Sequence, residues 1–194
     1  LRRSGQADNT IIVFTADHGE HLGNHGLLRK TSVHYDETLR VPLIVSAPGV
    51  AGGRRVGGLV ELTDLHPTLL GLLGFPINPG VQGIDWSPRL RDGGDIGRDD
   101  VHSDMFDITP QKFGTFTGPY GAVQTLRTTE WKLNLYPCAG RMYGQLFDLA
   151  NDPDESRNLY AEGGCQAARE ELLWRLCARL HTNTDPLPLY LTQF

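Results

Sequence analysis

Apolar residues near the start of the chain form two short unbroken runs that predict β-strands. The first run extends from Thr10 to Ala16 and is rich in β-branched side chains, and the second extends from Val41 to Val45. Unbroken apolar runs of this length are typical of strands that are covered on both faces in a parallel sheet. The stretch from His21 to about Thr38 is rich in Gly, His and Asn, and it predicts a long polar loop between the two strands.

A helix and an irregular segment are predicted after the second strand. Thr63 and Asp64 are typical N-cap residues, the leucines that follow recur at helical spacing, and Gly74 is a typical helix end. The segment from Phe75 to about Arg98 is rich in Gly, Pro and Asp, which predicts irregular structure. It is the best candidate in the chain for a linker or a domain boundary.

The pattern changes to short runs separated by turns in the second half of the chain. Residues 123–128, 131–136 and 145–149 predict three strands of an antiparallel meander. A helix is predicted from about Gln166 to His181. Its expected buried stripe consists of residues at helical spacing: Leu173, Leu176, Cys177 and Leu180.

Length and composition agree with a small globular protein of the α/β class. The chain has 194 residues, of which 39% are hydrophobic and 21% are charged, enough for one or two domains. We expect residues 1–98 to belong to an α/β sheet domain and residues 99–194 to form a small antiparallel sheet with the C-terminal helix. Because the chain starts without Met and soon enters a strand, we expect it to be part of a longer protein.

Charge and cysteine content exclude several classes of function. Lys and Arg number 18 and Asp and Glu number 23, so the net charge of −5 argues against a broad nucleic-acid surface. No apolar run approaches the roughly 20 residues that span a bilayer. Three cysteines cannot all pair with one another, which is more typical of a reducing compartment such as the cytoplasm than of a disulfide-stapled secreted domain.

The residues that follow the first strand carry the most promising chemistry. Asp17 and His18 lie at the carboxyl end of that strand, where ligands collect in open α/β sheets, and a carboxylate beside an imidazole suits a divalent cation. A strand-end turn is the structural alternative, since Asp-x-Gly sequences are common in turns. A zinc site of His18, His21 and His25 is disfavoured because the spacing and the intervening glycines do not fit the helical His-Glu-x-x-His motif.

Two further polar groups of the loop are weaker candidates. Lys30 could stabilise a tetrahedral oxyanion near a metal, although a single loop lysine is by itself typical of a solvated surface. His25 is expected to be a polar loop residue that could also touch substrate. We expect Glu37 and Arg40 to fix the loop by an ion pair, and contact with substrate is the alternative role for them.

Several stretches together resemble the sulfatases of the alkaline-phosphatase-like superfamily, and the resemblance covers most of the chain. The first is the run from Asp17 through Lys30 to Val45, which is especially similar to the choline sulfatase, iduronate sulfatase and phosphonate monoester hydrolase branch. The second is the helix region 62–70. The third is the hairpin 145–159, in which Asp148, Asp152 and Asn158 match a structural signature.

The resemblance implies a metal-dependent ester hydrolase. Asp17 and His18 match ligands of the divalent cation, usually calcium in sulfatases and often manganese in phosphonate hydrolases. Lys30 matches the lysine that contacts the sulfuryl or phosphoryl oxygens and stabilises charge on the bridging oxygen. The implied partner is a small-molecule sulfate, phosphonate or phosphate ester, and assembly into oligomers is compatible with the family.

The chain also departs from the family pattern. The family nucleophile is a formylglycine made from Cys in a Cys-x-Pro/Ala-x-Arg motif upstream of Asp17, together with further carboxylate ligands and a general-acid His. None of these is in this chain, and Cys138-Ala139-Gly140-Arg141 has the wrong spacing and position. We therefore expect a carboxyl-terminal fragment with about half of a metal site and no nucleophile, inactive without the upstream half of its parent chain.

A second hypothesis is that this chain has no catalytic function. An accessory or assembly module would need a contact surface, and five aromatic residues in irregular sequence could supply one or could be core. They are Trp86, Phe106, Phe113, Phe116 and Tyr120.

Overall fold

The computed structural model describes residues 1–107, 121–138 and 141–183. The strands are β1 (Ile12–Thr15), β2 (Leu43–Ser46), β3 (Val101–Asp107), β4 (Gly121–Arg127), β5 (Trp131–Cys138) and β6 (Arg141–Asp148). The helices are α1 (Asp36–Leu39), α2 (Leu65–Leu73), α3 (Ser87–Asp92) and α4 (Gln166–Thr182). This mixture of sheets and helices agrees with the predicted α/β class.

The chain divides into two compact units that are each built from separate stretches. The first unit contains residues 1–16 and 42–98 and the described chain end from Leu180, and the second contains the described parts of 17–41 and 99–179. The loop that carries the candidate site therefore belongs to the second unit, although it follows β1 in the chain.

The two strands of the first unit differ from the predicted parallel arrangement. β1 and β2 are antiparallel, with Val13 opposite Val45 and Phe14 opposite Ile44. Phe14 and Ile44 are 60% and 62% exposed, so this face of the strand pair is open in this chain. An apolar run indicates a strand but not the direction of its neighbour, and this explains why the prediction of a parallel arrangement was wrong.

The predicted helix of the first unit is confirmed, and the segment after it is largely irregular as predicted, apart from one short helix, and ends at Arg98 where the second unit resumes. α2 ends at Gly74, whose φ of 75° is the left-handed conformation that glycine adopts readily. Between Phe75 and Arg98 the chain forms α3, and Trp86, which precedes it, is only 2% exposed. Trp86 is thus a core residue, while Phe113, Phe116, Tyr120 and the side chain of Phe106 lie outside the described residues.

A buried carboxylate holds this segment against α2. Asp64 accepts hydrogen bonds from the backbone N–H groups of Glu61 (2.9 Å) and Ile84 (2.7 Å). It also forms a two-point ion pair with Arg98, whose Nη1 lies 2.7 Å from Oδ2 and whose Nη2 donates to Oδ1 at 2.8 Å. The composition of the segment does not reveal that it is held in place, because the contacts that hold it join residues about 20 to 34 positions apart in sequence.

The second unit contains the predicted meander with one additional strand. The order β3-β4-β5-β6 is antiparallel throughout, and Leu126, Leu133 and Leu146 lie in register across β4, β5 and β6. These leucines form a buried core with Leu172 and Leu176 of α4. The predicted strands and helix are therefore confirmed with small shifts of their ends, and β3 was not predicted.

The buried stripe of α4 differs from the predicted one. Leu176 is buried and Leu173 packs against the core, but Cys177 is exposed and Leu180 is 39% exposed. Leu172, which was not predicted, takes the buried position four residues before Leu176. Within the described residues, none of the helices has the length and apolar character needed to cross a bilayer.

Candidate functional site

The second face of the small sheet is polar and binds the loop that contains the candidate site. Thr125, Asn134 and Gln145 lie side by side on β4, β5 and β6 because strand alternation places them opposite the leucine face. His34 of the loop is buried on this row, with Nδ1 2.8 Å from Thr125 Oγ1. The Asn134 amide donates to the carbonyl of His34 at 3.1 Å.

The hydrogen bonds of this row assign the tautomer of His34. Thr125 donates its single hydroxyl proton to Asn134 Oδ1 at 2.8 Å, so His34 Nδ1 must carry the proton that it shares with Thr125. Burial lowers the pKa of His34 to about 4, and the charges of Lys132 and His102 act in the same direction. His34 is therefore neutral at physiological pH.

Four charged side chains join the loop to the sheet beside this row. Asp36, the first residue of α1, lies 3.0 Å from Lys132 Nζ and 3.3 Å from Arg127 Nη2. Lys132 Nζ also lies 2.6 Å from Glu155 Oε1. Lys132 is fully buried, and the two cations and two carboxylates balance in charge.

The pKa values of the two carboxyls move in opposite directions. Burial alone would raise the pKa of Asp36, but Lys132 and Arg127 outweigh it and hold the pKa below its usual range. Burial raises the pKa of Glu155 more than Lys132 lowers it.

Asp17 and His18 project polar atoms towards one another at the start of the loop. Asp17 Oδ2 lies 3.6 Å from His18 Nε2, and the Asp17 and His18 side chains are 88% and 38% exposed. His18 Nδ1 lies 2.7 Å from the carbonyl oxygen of Gly19, which can only accept a hydrogen bond. The proton therefore resides on Nδ1, and Nε2 keeps the lone pair that a metal ligand needs.

Gly19 lies in direct contact with α1. Its N–H donates to the carbonyl of Thr38 at 2.8 Å. A Cβ at position 19 would lie 1.8 Å from the carbonyl oxygen of Glu37, so only glycine fits here. The backbone that follows the Asp17-His18 pair is thus held against α1.

His25 is directed towards the interior of the loop. Its ring stacks on Tyr35 with the centroids 3.7 Å apart, and its Nε2 lies 3.5 Å from Glu37 Oε1. Glu37 also accepts a hydrogen bond from Asn24 at 2.9 Å. The predicted ion pair of Glu37 with Arg40 is therefore wrong, because Glu37 is engaged by Asn24 and His25 and Arg40 is exposed.

His21 is a core residue of the loop. It is fully buried, and its Nε2 lies 3.1 Å from Thr31 Oγ1. Burial lowers the pKa of His21 although Glu37 acts against that shift.

Lys30 lies on the exposed part of the loop. Among the described residues, no hydrogen bond or ion pair joins Lys30 to Asp17 or His18, and no group of three or more His, Cys, Asp and Glu side chains is arranged to hold a metal ion. The structure thus brings Asp17 and His18 together and leaves the roles of Lys30 and His25 as predictions.

The hairpin signature has a structural role that its hydrogen bonds explain. Asp152 accepts from the backbone N–H groups of Ser156 and Arg157 at 3.1 and 2.8 Å. Asn158 accepts from Leu146 N–H at 3.0 Å and donates to the Gly144 carbonyl at 3.1 Å. This turn places the Glu155 carboxylate beside Lys132.

Sequence reasoning missed the charged group of Asp36, Arg127, Lys132 and Glu155. One signal was available, because Lys132 and Asn134 alternate with Leu133 and Leu135 in a predicted strand. That alternation puts a lysine in the middle of the polar face of the sheet. The partners of the lysine lie too far away in sequence for any local pattern to identify them.

The part of the chain that contains the loop of residues 17–41 is similar to known proteins. Residues 1–75 match the family model described as Sulfatase. Arylsulfatase K of Bos taurus is 31% identical over 173 residues, which are 84% of this chain and 29% of that protein.

Solved structures of similar fold cover nearly the entire chain. One is a protein in complex with its substrate D-glucosamine-2-N,6-O-disulfate, with a TM-score of 0.83 and 25% identity over 97% of this chain and 37% of the other. Another is the phosphonate monoester hydrolase from Silicibacter pomeroyi, with a TM-score of 0.80 and 31% identity over 95% of this chain and 37% of the other. The chain therefore spans about a third of the length of these relatives.

Proposed function

Because this chain belongs to the sulfatase family, we propose that it is the carboxyl-terminal part of a metal-dependent sulfuric ester hydrolase. In this proposal Asp17 and His18 are two of the ligands of a divalent cation, and Lys30 binds the oxygens of the ester group. The nucleophile and the other ligands come from the upstream half of a longer parent chain.

The arrangement of Asp17 and His18 carries the proposal. Calcium ligands lie about 2.3–2.6 Å from the ion, so two neighbouring ligand atoms at right angles are roughly 3.3–3.7 Å apart. The 3.6 Å between Asp17 Oδ2 and His18 Nε2 falls in this range, and the Nε2 lone pair is free because Nδ1 holds the proton. Calcium is the first choice by family resemblance, and manganese or another transition metal is the alternative that the imidazole nitrogen favours.

The chemistry of the chain's own residues follows from their charge. A divalent cation at this site would act as a Lewis acid, polarising the sulfuryl oxygens and favouring ionisation of the nucleophile. Asp17 and His18 supply one negative and one neutral ligand. Lys30 would offset the negative charge that develops on the leaving oxygen, which is electrostatic stabilisation of the transition state.

Substitution of Asp17 tests the metal role. In the protein at its natural length, Asp17→Asn should lower aryl sulfate hydrolysis by about 100-fold or more and weaken divalent cation binding, since a neutral amide is a poorer ligand. Asp154→Asn is the matched control, because Asp154 is exposed in the hairpin turn. Unchanged turnover and unchanged cation affinity in Asp17→Asn would contradict the proposal.

A phosphonate monoester or phosphate diester hydrolase is the second candidate. It is supported by the 31% identity and the TM-score of 0.80 to the Silicibacter pomeroyi enzyme. The ratio of kcat/KM for an aryl sulfate to that for an aryl phosphonate monoester, measured on the same preparation, decides between the two. A ratio above one supports the sulfatase, and a ratio below one supports the phosphonate hydrolase.

The intact mass of the protein from its natural source tests the fragment proposal. A mass well above 21.4 kDa, with a formylglycine in an upstream peptide, is expected. A mass equal to that of this chain would favour the assembly module instead.

A further inference from the structure

The polar face of the small sheet holds a buried lysine whose surroundings have no role in the chemistry described so far. Lys132 is fully buried on β5, with Nζ 2.6 Å from Glu155 Oε1 and 3.0 Å from Asp36 Oδ1. Taking ions out of water costs about as much free energy as their attraction returns, so such a group contributes little net stability. A buried ion pair does impose a definite geometry on the backbone segments that carry it.

The segment on which Lys132 and Glu155 act is α1. This helix has only four residues, which is too short to be stable by itself. The Glu155 Oε2 atom accepts a hydrogen bond from the backbone N–H of Asp36 at 2.6 Å. Lys132 joins the two carboxylates, since its Nζ contacts both Glu155 Oε1 and Asp36 Oδ1. The position of α1 is therefore set by residues about 100 positions later in the chain.

Glu155 is held in an unusual backbone conformation at this contact. Its φ of 52° lies in the left-handed region, which costs free energy for a residue with a side chain. Glycine would adopt this φ without strain. The carboxylate that occupies the position points into the protein and is buried beside Lys132.

Direct contacts continue from α1 to the candidate metal pair. The Thr38 carbonyl of α1 accepts the Gly19 N–H at 2.8 Å, and Gly19 lies so close to Glu37 that no Cβ fits. The Gly19 carbonyl in turn accepts the proton of His18 Nδ1 at 2.7 Å. The orientation of the His18 ring thus depends on Gly19, and the position of Gly19 depends on α1.

We propose that Lys132 and Glu155 are positioning residues that hold Asp17 and His18 in the arrangement a divalent cation requires, acting through Asp36 and the backbone of α1. This role rests on the proposed metal site. Neither residue touches the ion or the substrate, and their effect is on the distance between Asp17 Oδ2 and His18 Nε2.

Substitution of Lys132 by Met, in the protein at its natural length, tests this role with two measurements. The first is the hydrogen-exchange rate of the Gly19 amide in the metal-free protein, which should increase about tenfold because α1 is less firmly held. The second is the dissociation constant for Ca²⁺ and for Mn²⁺, which should rise about tenfold, the usual effect of losing a group that orients a metal ligand. Glu155→Gln keeps the side-chain shape and should shift both quantities in the same direction.

Arg98→Met is the matched control. Arg98 is also a buried cation that is paired with carboxylates, but its partners Asp64 and Glu61 belong to the other unit. We expect this variant to lose stability while the Gly19 exchange rate and the dissociation constants stay within about twofold of the parent. An equal effect of Arg98→Met on both quantities would overturn the proposal, because a general loss of stability would then explain them.

The outcomes separate this inference from the proposed function. If Lys132→Met does not fold, Glu155→Gln provides the same two measurements. Unchanged exchange at Gly19, or unchanged cation affinity in a parent that binds the cation, overturns the positioning role. If the parent binds neither ion, the proposed metal site fails, and the exchange measurement alone then decides whether Lys132 and Glu155 position Gly19.

Discussion

The chemistry available to the histidines of the loop depends on which ring nitrogen carries the proton. The Gly19 carbonyl holds the proton of His18 on Nδ1, which leaves Nε2 with the lone pair that the proposed metal site would use. His34 has its Nδ1 proton directed at Thr125 and is buried. These two histidines of the loop thus differ in environment, because His18 keeps a part-exposed Nε2 lone pair and His34 belongs to a buried polar row.

Substitution of Gly19 by Ala should destabilise the protein by about 2–3 kcal/mol, because the new Cβ would overlap the Glu37 carbonyl and displace α1. Urea denaturation measures the free energy of unfolding. Gly164→Ala is the control, since a Cβ there has no atom within 4 Å. Equal stability of the two variants would show that the contact of Gly19 with α1 is not tight.

His34 should make stability depend on pH. Its pKa is about 4 in the folded state and 6.5 in the unfolded chain, so the unfolded state binds more protons between these pH values. The free energy of unfolding is therefore fully retained above pH 6.5 and decreases as the pH falls from 6.5 towards 4, by about 3 kcal/mol from this residue. Denaturation at a series of pH values measures this slope.

His34→Asn keeps a donor near Thr125 and cannot titrate. The slope between pH 4 and 6.5 should therefore be smaller in this variant than in the parent. An identical slope would mean that other groups cause the pH dependence.

At the scale of elements, the small sheet uses both of its faces. Its leucine face packs on α4, and its polar face holds the loop with α1. The meander is thus a layer between α4 and the loop. Helix α4 packs on one face of its strands, and the other face positions α1.

Substitution of Leu176 by Ala should cost about 3 kcal/mol of unfolding free energy, since Leu176 is buried between α4 and the sheet. Cys177→Ala, at the next position on the same helix, should change stability by no more than about 0.5 kcal/mol because Cys177 is exposed. Thermal or urea unfolding of both variants measures the difference. A larger loss in Cys177→Ala would mean that the predicted stripe, not the observed one, faces the core.

At the scale of the whole molecule, the chain carries Asp17 and His18, which are only two of the ligands that the proposed metal site needs. It spans about a third of the length of its relatives. The uncovered apolar face of Phe14 and Ile44 is consistent with the proposal that more polypeptide belongs with this chain.

The 194-residue chain produced alone should not hydrolyse an aryl sulfate, because it has no formylglycine motif and only two of the proposed metal ligands. The same assay on the protein at its natural length is the positive control. Turnover by the 194-residue chain that disappears in Asp17→Ala would contradict this expectation.

Local patterns were sufficient to predict much of the fold. The meander strands, α2 with its glycine end and the extent of α4 all follow from spacing over a few residues. The position of Asp17 and His18 directly after a strand was also predictable, since they follow an apolar run, while their role as metal ligands stays a prediction. The relative direction of β1 and β2 and part of the buried face of α4 were predicted wrongly, and the short helix α3 was not predicted. Each of these features depends on which distant residues pack against it.

The sequence by itself determined which residue types stand at the strand end and which segments become strands and helices, since short-range spacing controls both. Only the tertiary structure decided that Gly19 lies on α1 and that Lys132 and Glu155 hold Asp36. Those partners are separated by up to about 119 positions, and their contacts arise only when the sheet and its turns bring them together. The physical reason is that burial and charge pairing act between neighbours in space, whereas a sequence pattern reports neighbours along the chain.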